Sequence, residues 1–234
     1  NTTLNAIVAE AFCEAADRLE KAEDFETAVH DLIKEYMTEH QRIIFNGNGY
    51  SDEWVVEAEK RGLPNIKSMI EAASTLTSEK AVALFEKFGI YTKAELESRE
   101  EIIYETYAKT INIEALTMID MAGKQIIPAV VKYTKTLADT ANAIKAAGGD
   151  ASVQTELLAD VSTKLAAMQK ELNKLVADEK EASAMEDVKA QAFFYKDTIK
   201  ATMDELRKPA DELEMIVDKD VWPIPTYGEL MFEV

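Results

Sequence analysis

The sequence has one cysteine, two histidines, 8 glycines and 5 prolines in 234 residues. A single cysteine cannot close an internal disulfide, which fits a reducing compartment. Cys13 falls in an apolar helical pattern and reads as a small buried hydrophobe rather than a reactive thiol. So little glycine and proline excludes a loop-rich or mostly β fold and favours long helices. Positive charge is scarce as well: 26 Lys and Arg stand against 44 Asp and Glu, a formal net charge of −18. That excludes sequence-independent nucleic-acid binding, which needs clustered cations, and it disfavours an anionic membrane surface. Uninterrupted apolar runs are missing. The longest apolar stretch, Ile111 to Val131, contains Glu114, Asp120 and Lys124 and does not read as a membrane span. No charged-then-apolar leader opens the chain. Its first residue is Asn1 rather than Met, so a processed or truncated polypeptide is expected.

Apolar residues make up 47% and charged residues 30%, a mixture that can bury a core and does not read as disordered. Apolar periodicity predicts helices throughout. Thr3 can cap a first helix with Leu4, Ile7, Val8, Ala11 and Phe12 at helical spacing, and Asp24 begins a second with Phe25, Val29, Leu32, Ile33 and Tyr36 on one face. Ser51, Asp52 and Glu53 form a helix start, and Gly62 followed by Leu63 and Pro64 forms its stop. Short helices are expected from Ile66 to about Ala73 and from Ser78 to Phe88, the latter closed by Gly89.

At Thr92 the character of the chain changes. Thr92 and Glu95 make a capping box, and no strong stop follows until Gly148 and Gly149. An apolar stripe from Tyr104 to Ile144 predicts one very long helix, with a kink near Gly123 to Pro128 because proline lacks a backbone donor. Leu158, Val161, Leu165, Met168, Leu172 and Leu175 then alternate steps of three and four, the spacing of a coiled coil. A turn is expected near Asp178 to Ser183, with Ser183 and Glu186 as a capping box. A third helix uses Met185, Val188, Ala192, Tyr195, Ile199, Met203 and Leu206, kinked or restarted at Pro209. The fold class is therefore mainly α: short N-terminal helices followed by a long antiparallel helical hairpin or three-helix bundle. The expected division is 1–91 for the short helices, 92–217 for the bundle and 218–234 for an extended tail packed on the fold.

Candidate sites are few. "FNGNGYS" gathers Asn46, Gly47, Asn48, Gly49, Tyr50 and Ser51 ahead of a helix N-terminus, where backbone amides can approach an anion. Its spacing matches neither GxGxxG nor a Walker loop and no lysine follows, so a turn onto a capped helix is the favoured reading over a ligand loop. His30 and His40, ten residues apart, would lie about 15 Å apart on a helix and cannot share a metal unless the segment bends. No His-Glu-x-x-His or Glu-x-x-His motif occurs. Glu114, Thr117, Asp120 and Lys124 line one stripe; a buried structural pair of Asp120 with Lys124, or an interface contact, is favoured over a catalytic one. Ser, Cys and His form no nucleophile–base pattern. The residues by themselves show no active site.

Four stretches, "NTTLNAIVAEA", "FNGNGYSDEWVVEAEKRGLPN", "NIEALTMIDMAGKQIIPAVVKY" and "WPIPTYGELMFEV", resemble the C-terminal portion of type III glutamine synthetase, the long bacterial form of that enzyme. The resemblance spans nearly the whole chain. It implies ATP-dependent condensation of glutamate with ammonia through γ-glutamyl phosphate, in a cytoplasmic double-ring homo-oligomer using ATP and Mg or Mn. The family's metal-binding glutamates, ATP segment, flap glutamate and late arginine/glutamate motif have no counterpart here. No catalytic, cofactor or metal residue is therefore carried over, and the isolated chain is expected to be inactive. Residues 1 to about 21 would be a closing helix of the catalytic lobe, and the partners would be the remainder of the synthetase chain and its homo-oligomer, with no nucleic acid and no membrane. Two other readings are a freestanding acidic helical scaffold and an independent small-molecule enzyme built on the Asn46–Ser51 loop. The scaffold would leave Trp222, Pro223, Ile224, Pro225, Tyr227 and Phe232 as a free recognition peptide; the synthetase reading packs them on the fold.

Overall fold

The computed structural model describes residues 1–225 and 227–232. Of these, 79% are helical, and no strand occurs among them. The chain forms two compact units, Asn1–Ile103 and Tyr104–Val234, dividing within α6 (Lys93–Met121) rather than at residue 92.

The first unit holds α1 (Thr2–Leu19), α2 (Phe25–Glu39), α3 (Asp52–Lys60), α4 (Met69–Ala73), α5 (Glu79–Lys87) and the start of α6. All but α1 begin or end on a local signal; α1 starts at Thr2 without a side-chain cap, and Thr3, expected to cap it, lies inside the helix. The Asp24 carboxylate accepts from Glu26 N, Ser78 Oγ accepts from Ala81 N, and Thr92 and Glu95 cap each other reciprocally at 3.3 and 2.8 Å. Gly62 and Gly89 take left-handed φ values of 70° and 61° at helix ends, a conformation that side-chain-bearing residues adopt at a cost. The helix expected from Ile66 starts only at Met69, because Ser68 supplies the cap to Glu71 N. The core joins Ala6, Phe85 and Leu96, with Val82, Ile90 and Tyr91 packed around them.

The apolar face of α1 is not covered in this unit. Leu4, Ile7, Val8 and Phe12 form the apolar face of α1, yet all are exposed, Phe12 at 71%, and the buried residue of the helix is Ala6. Cys13 is exposed too, not a buried hydrophobe. Periodicity places apolar side chains on one face; it does not say what covers that face.

The second unit is built from three rods. α6 passes through a π turn, Ala122–Ile126, into α7 (Ile127–Ala146); α8 (Ser152–Ser183) is the second rod. The third joins α9 (Val188–Phe194), a π turn at Tyr195–Ile199 and α10 (Lys200–Glu214). Short turns connect the rods, α7 packs on α8, and α8 packs on α10, so the arrangement is the three-helix bundle rather than a simple hairpin. The irregularity expected near Pro128 takes the form of the π turn just before it, with Pro128 in the first turn of α7, where its missing N–H costs little. Pro209 neither ends nor restarts α10. α8 runs through the expected turn at 178–183, and the next cap is Asp187, which accepts from Ala190 N at 2.7 Å, while Ser183 bonds Glu179.

The core of this unit runs through Ile111, Ala115, Val130, Val161, Met168, Leu175, Ile199, Leu206 and Leu213. Val221, Trp222 and Ile224 pack against it. The tail is not extended throughout: α11 (Tyr227–Phe232) is helical, with its Glu229 held 3.0 Å from Lys219. Phe232 is exposed, and of the expected tail Thr226, Glu233 and Val234 lie outside the described residues.

Candidate functional site

The Asn46–Ser51 segment is a turn closed on itself. Asn48 accepts through its side-chain oxygen from Tyr50 N at 3.1 Å and through its carbonyl from Ser51 N at 3.2 Å and Ser51 Oγ at 2.9 Å. The Ser51 carbonyl then receives Trp54 N and Val55 N as α3 begins. Upstream, Phe45 stacks on Trp54 with ring centroids 4.3 Å apart. The Arg61 guanidinium lies 5.6 Å from the Trp54 ring and donates to the Ile44 carbonyl at 2.8 Å and to Glu57 Oε1 at 2.7 Å. That bond holds the Glu57 carboxyl below the usual carboxylate range, with the Arg61 charge adding to it.

Gly47 and Gly49 have different roles. A Cβ at Gly47 would meet the Phe45 ring at 2.6 Å, whereas at Gly49 it would meet nothing within 4 Å, and neither residue has positive φ. Packing against an aromatic ring accounts for Gly47. The amides of Tyr50 and Ser51 are already spent within the turn, and Asp52 and Glu53 occupy the first turn of α3, where they oppose an incoming anion. Tyr50 and the other loop residues apart from half-buried Ser51 are exposed.

The remaining candidates lie apart. His30 and His40 are exposed on α2 and at its C-terminal end, where the Tyr36 and His40 rings sit 5.8 Å apart. Among the described residues no group of three or more His, Cys, Asp or Glu side chains could hold a metal ion. Asp120 and Lys124 do pair, but on the surface, with side chains 49% and 78% exposed, not in a buried setting. Glu114 and Thr117 line a cleft in the second unit that the sequence reading missed. Its methionines register in sequence only as core positions, and the wall formed by Trp222 is set by the path of the tail.

Residues 28–145, which hold this turn and most of the first long rod, match the family model described as the glutamine synthetase C-terminal domain. The chain belongs to that family. As a glutamine synthetase C-terminal domain it is 39% identical over 91% of its length to a glutamine synthetase of Butyrivibrio fibrisolvens, of which it spans 31%. It is 34% identical over 98% of its length to a type-3 glutamine synthetase of Dictyostelium discoideum, of which it spans 32%. A glutamine synthetase of Bacteroides fragilis (strain YCH46) is 30% identical over 88% of the chain, which spans 29% of that protein. The chain thus corresponds to about a third of the length of these relatives.

Proposed function

We propose that this domain serves as the structural C-terminal segment of a type III glutamine synthetase. The parent enzyme condenses glutamate with ammonia, using ATP, through γ-glutamyl phosphate. The observation that carries the reading is the asymmetry of the matches: they take in 91% and 98% of this chain but 31% and 32% of the relatives. The apolar face of α1 supports it, since Leu4, Ile7, Val8 and Phe12 form a surface suited to packing against the catalytic lobe. In this reading ATP and Mg or Mn act on the remainder of the parent chain, where phosphoryl transfer would find its positioned metals and cations. The working form in this reading is a cytoplasmic homo-oligomer of a bacterial enzyme, although the type-3 relative from Dictyostelium discoideum means that the form reaches beyond bacteria. The scaffold alternative needs a free aromatic tail, and Trp222 and Ile224 instead pack on the bundle core.

The test is to produce this chain alone, the remaining two thirds of a type III synthetase alone, and the two together, and to assay glutamine formation with ATP, magnesium, glutamate and ammonium. The expected result is no turnover from this chain alone, with co-purification and activity when both pieces are present. Turnover by this chain that survives repurification overturns the proposal. So does a remainder that is fully active without it and does not bind it.

A further inference from the structure

The second unit contains a half-open cleft of about 570 Å³, within the size range of ligand-binding clefts, on the order of 300–1,000 Å³. Its walls come from α6, the π turn, α8, α10 and the tail, and its lining is dominated by Met118, Met121, Met168, Met203, Trp222 and Ile224. Methionine is unbranched and polarisable, so a wall of four such side chains can reshape around apolar groups of differing form. The Ile113 side chain lies on the lip and is 66% exposed, so the apolar surface continues outward rather than ending at the mouth. The Trp222 indole N–H is buried without a partner among the described residues, a donor left unsatisfied beside the cleft.

Charge at the rim is net negative. Arg207 and Asp211 pair with each other at 3.1 Å, which leaves Glu114 and Glu214, neither of which forms an ion pair among the described residues. A pliable apolar groove between helices with an uncompensated acidic rim matches an amphipathic helix whose polar face is basic. A second copy of this chain is a poor occupant, because it would bring a net charge of −18 to the same acidic rim. We propose that this cleft is a docking site for a basic amphipathic helix, with leucine-like side chains entering among the methionines and lysines or arginines meeting Glu114 and Glu214. The inference does not rest on the synthetase reading above, since every residue in it lies in one unit of this chain.

The test uses the full chain and a fluorescent leucine–lysine peptide of about four helical turns with leucines segregated on one face. A composition-matched peptide with scrambled faces and a leucine–glutamate counterpart serve as controls. Anisotropy should show saturable one-to-one binding of the segregated basic peptide, about tenfold or more tighter than the scrambled one. Glu114→Lys with Glu214→Lys, at positions outside the core, should keep the circular dichroism spectrum, weaken the basic peptide about tenfold and admit the leucine–glutamate peptide. No binding, equal binding of the scrambled peptide, or indifference to the two reversals overturns the proposal. So does a dimer of the free chain in sedimentation that the two reversals dissociate, which would place a second copy in the cleft.

Discussion

Asn112 on α6 directs its side-chain amide at two groups, Glu179 Oε1 on α8 at 3.0 Å and the Tyr195 hydroxyl in the third rod at 2.8 Å. One residue thus ties the three rods of the bundle. Tyr195 is 2% exposed, and the position of its oxygen is fixed by the π turn it begins. Asn112→Leu leaves the Tyr195 hydroxyl buried without its donor and should cost about 1–3 kcal/mol, whereas Tyr195→Phe leaves Asn112 its bond to Glu179 and should cost about 0.5–1.5 kcal/mol. Urea denaturation of both variants checks the order. A larger loss for Tyr195→Phe would mean that the hydroxyl has another role.

The coiled-coil spacing of α8 treats Leu165 and Leu175 alike, but the structure does not. Leu175 is fully buried, while Leu165 is only partly buried at the edge of the core. Leu175→Ala should cost about 2–5 kcal/mol, with Leu165→Ala clearly below it, because a partly buried site at the core's edge leaves a smaller cavity behind. Denaturation midpoints at constant slope decide this, and equal losses would mean that Leu165 is more enclosed than its exposure indicates.

How much of this was legible in the sequence depends on the range of each signal. Asp24, the Thr92 and Glu95 pair, Gly62, Gly89 and Gly148 act within a few residues, so the ends of their helices could be read directly. What covers the face of α1 depends on what lies opposite it, so Cys13, which its apolar helical pattern marks as a buried hydrophobe, is exposed instead. Pro128 marked an irregularity beside the first π turn without giving its form, and the second, at Tyr195–Ile199, left no signal; π turns are hard to read for a different reason. They insert one residue's worth of backbone into an otherwise helical pattern, which an apolar stripe tolerates without visible interruption. The methionine cleft was out of reach because its residues satisfy helical periodicity and its last wall comes from the non-periodic segment around Trp222.

Acid should loosen the start of α6. The Glu95 carboxyl is held below its ordinary range first by the Thr92 backbone N–H and then by the Thr92 hydroxyl. A carboxyl with a lowered folded pKa adds stability above its unfolded pKa, about 4.3, and that contribution is lost as pH falls through the lowered folded value. Glu95→Gln keeps an acceptor but removes the titration. Stability measured by urea denaturation from neutral pH downward should therefore fall more steeply below about pH 4.3 in the native chain than in the variant. Parallel curves would show that the bonds to Thr92 are no stronger in the folded chain than contacts in the unfolded one.

The two glycines of "FNGNGYS" separate a packing role from a ligand role. At Gly47 an added methyl would press into the Phe45 ring and drive it from its 4.3 Å stack on Trp54, so Gly47→Ala should cost roughly 1 kcal/mol and alter the near-ultraviolet dichroism of Trp54. At Gly49 the methyl meets open space at a negative φ, and Gly49→Ala should stabilise the chain by about 0.4–1 kcal/mol by narrowing its unfolded ensemble. The changes thus have opposite signs although the residues are only two apart. A loop shaped to admit a phosphate would need both positions bare, because either methyl would crowd the backbone amides. Opposite signs in thermal unfolding, with no change in either variant on adding ATP, would make Phe45 and Trp54 the reason for Gly47. Protection of the native loop by ATP that both substitutions abolish would restore the ligand reading.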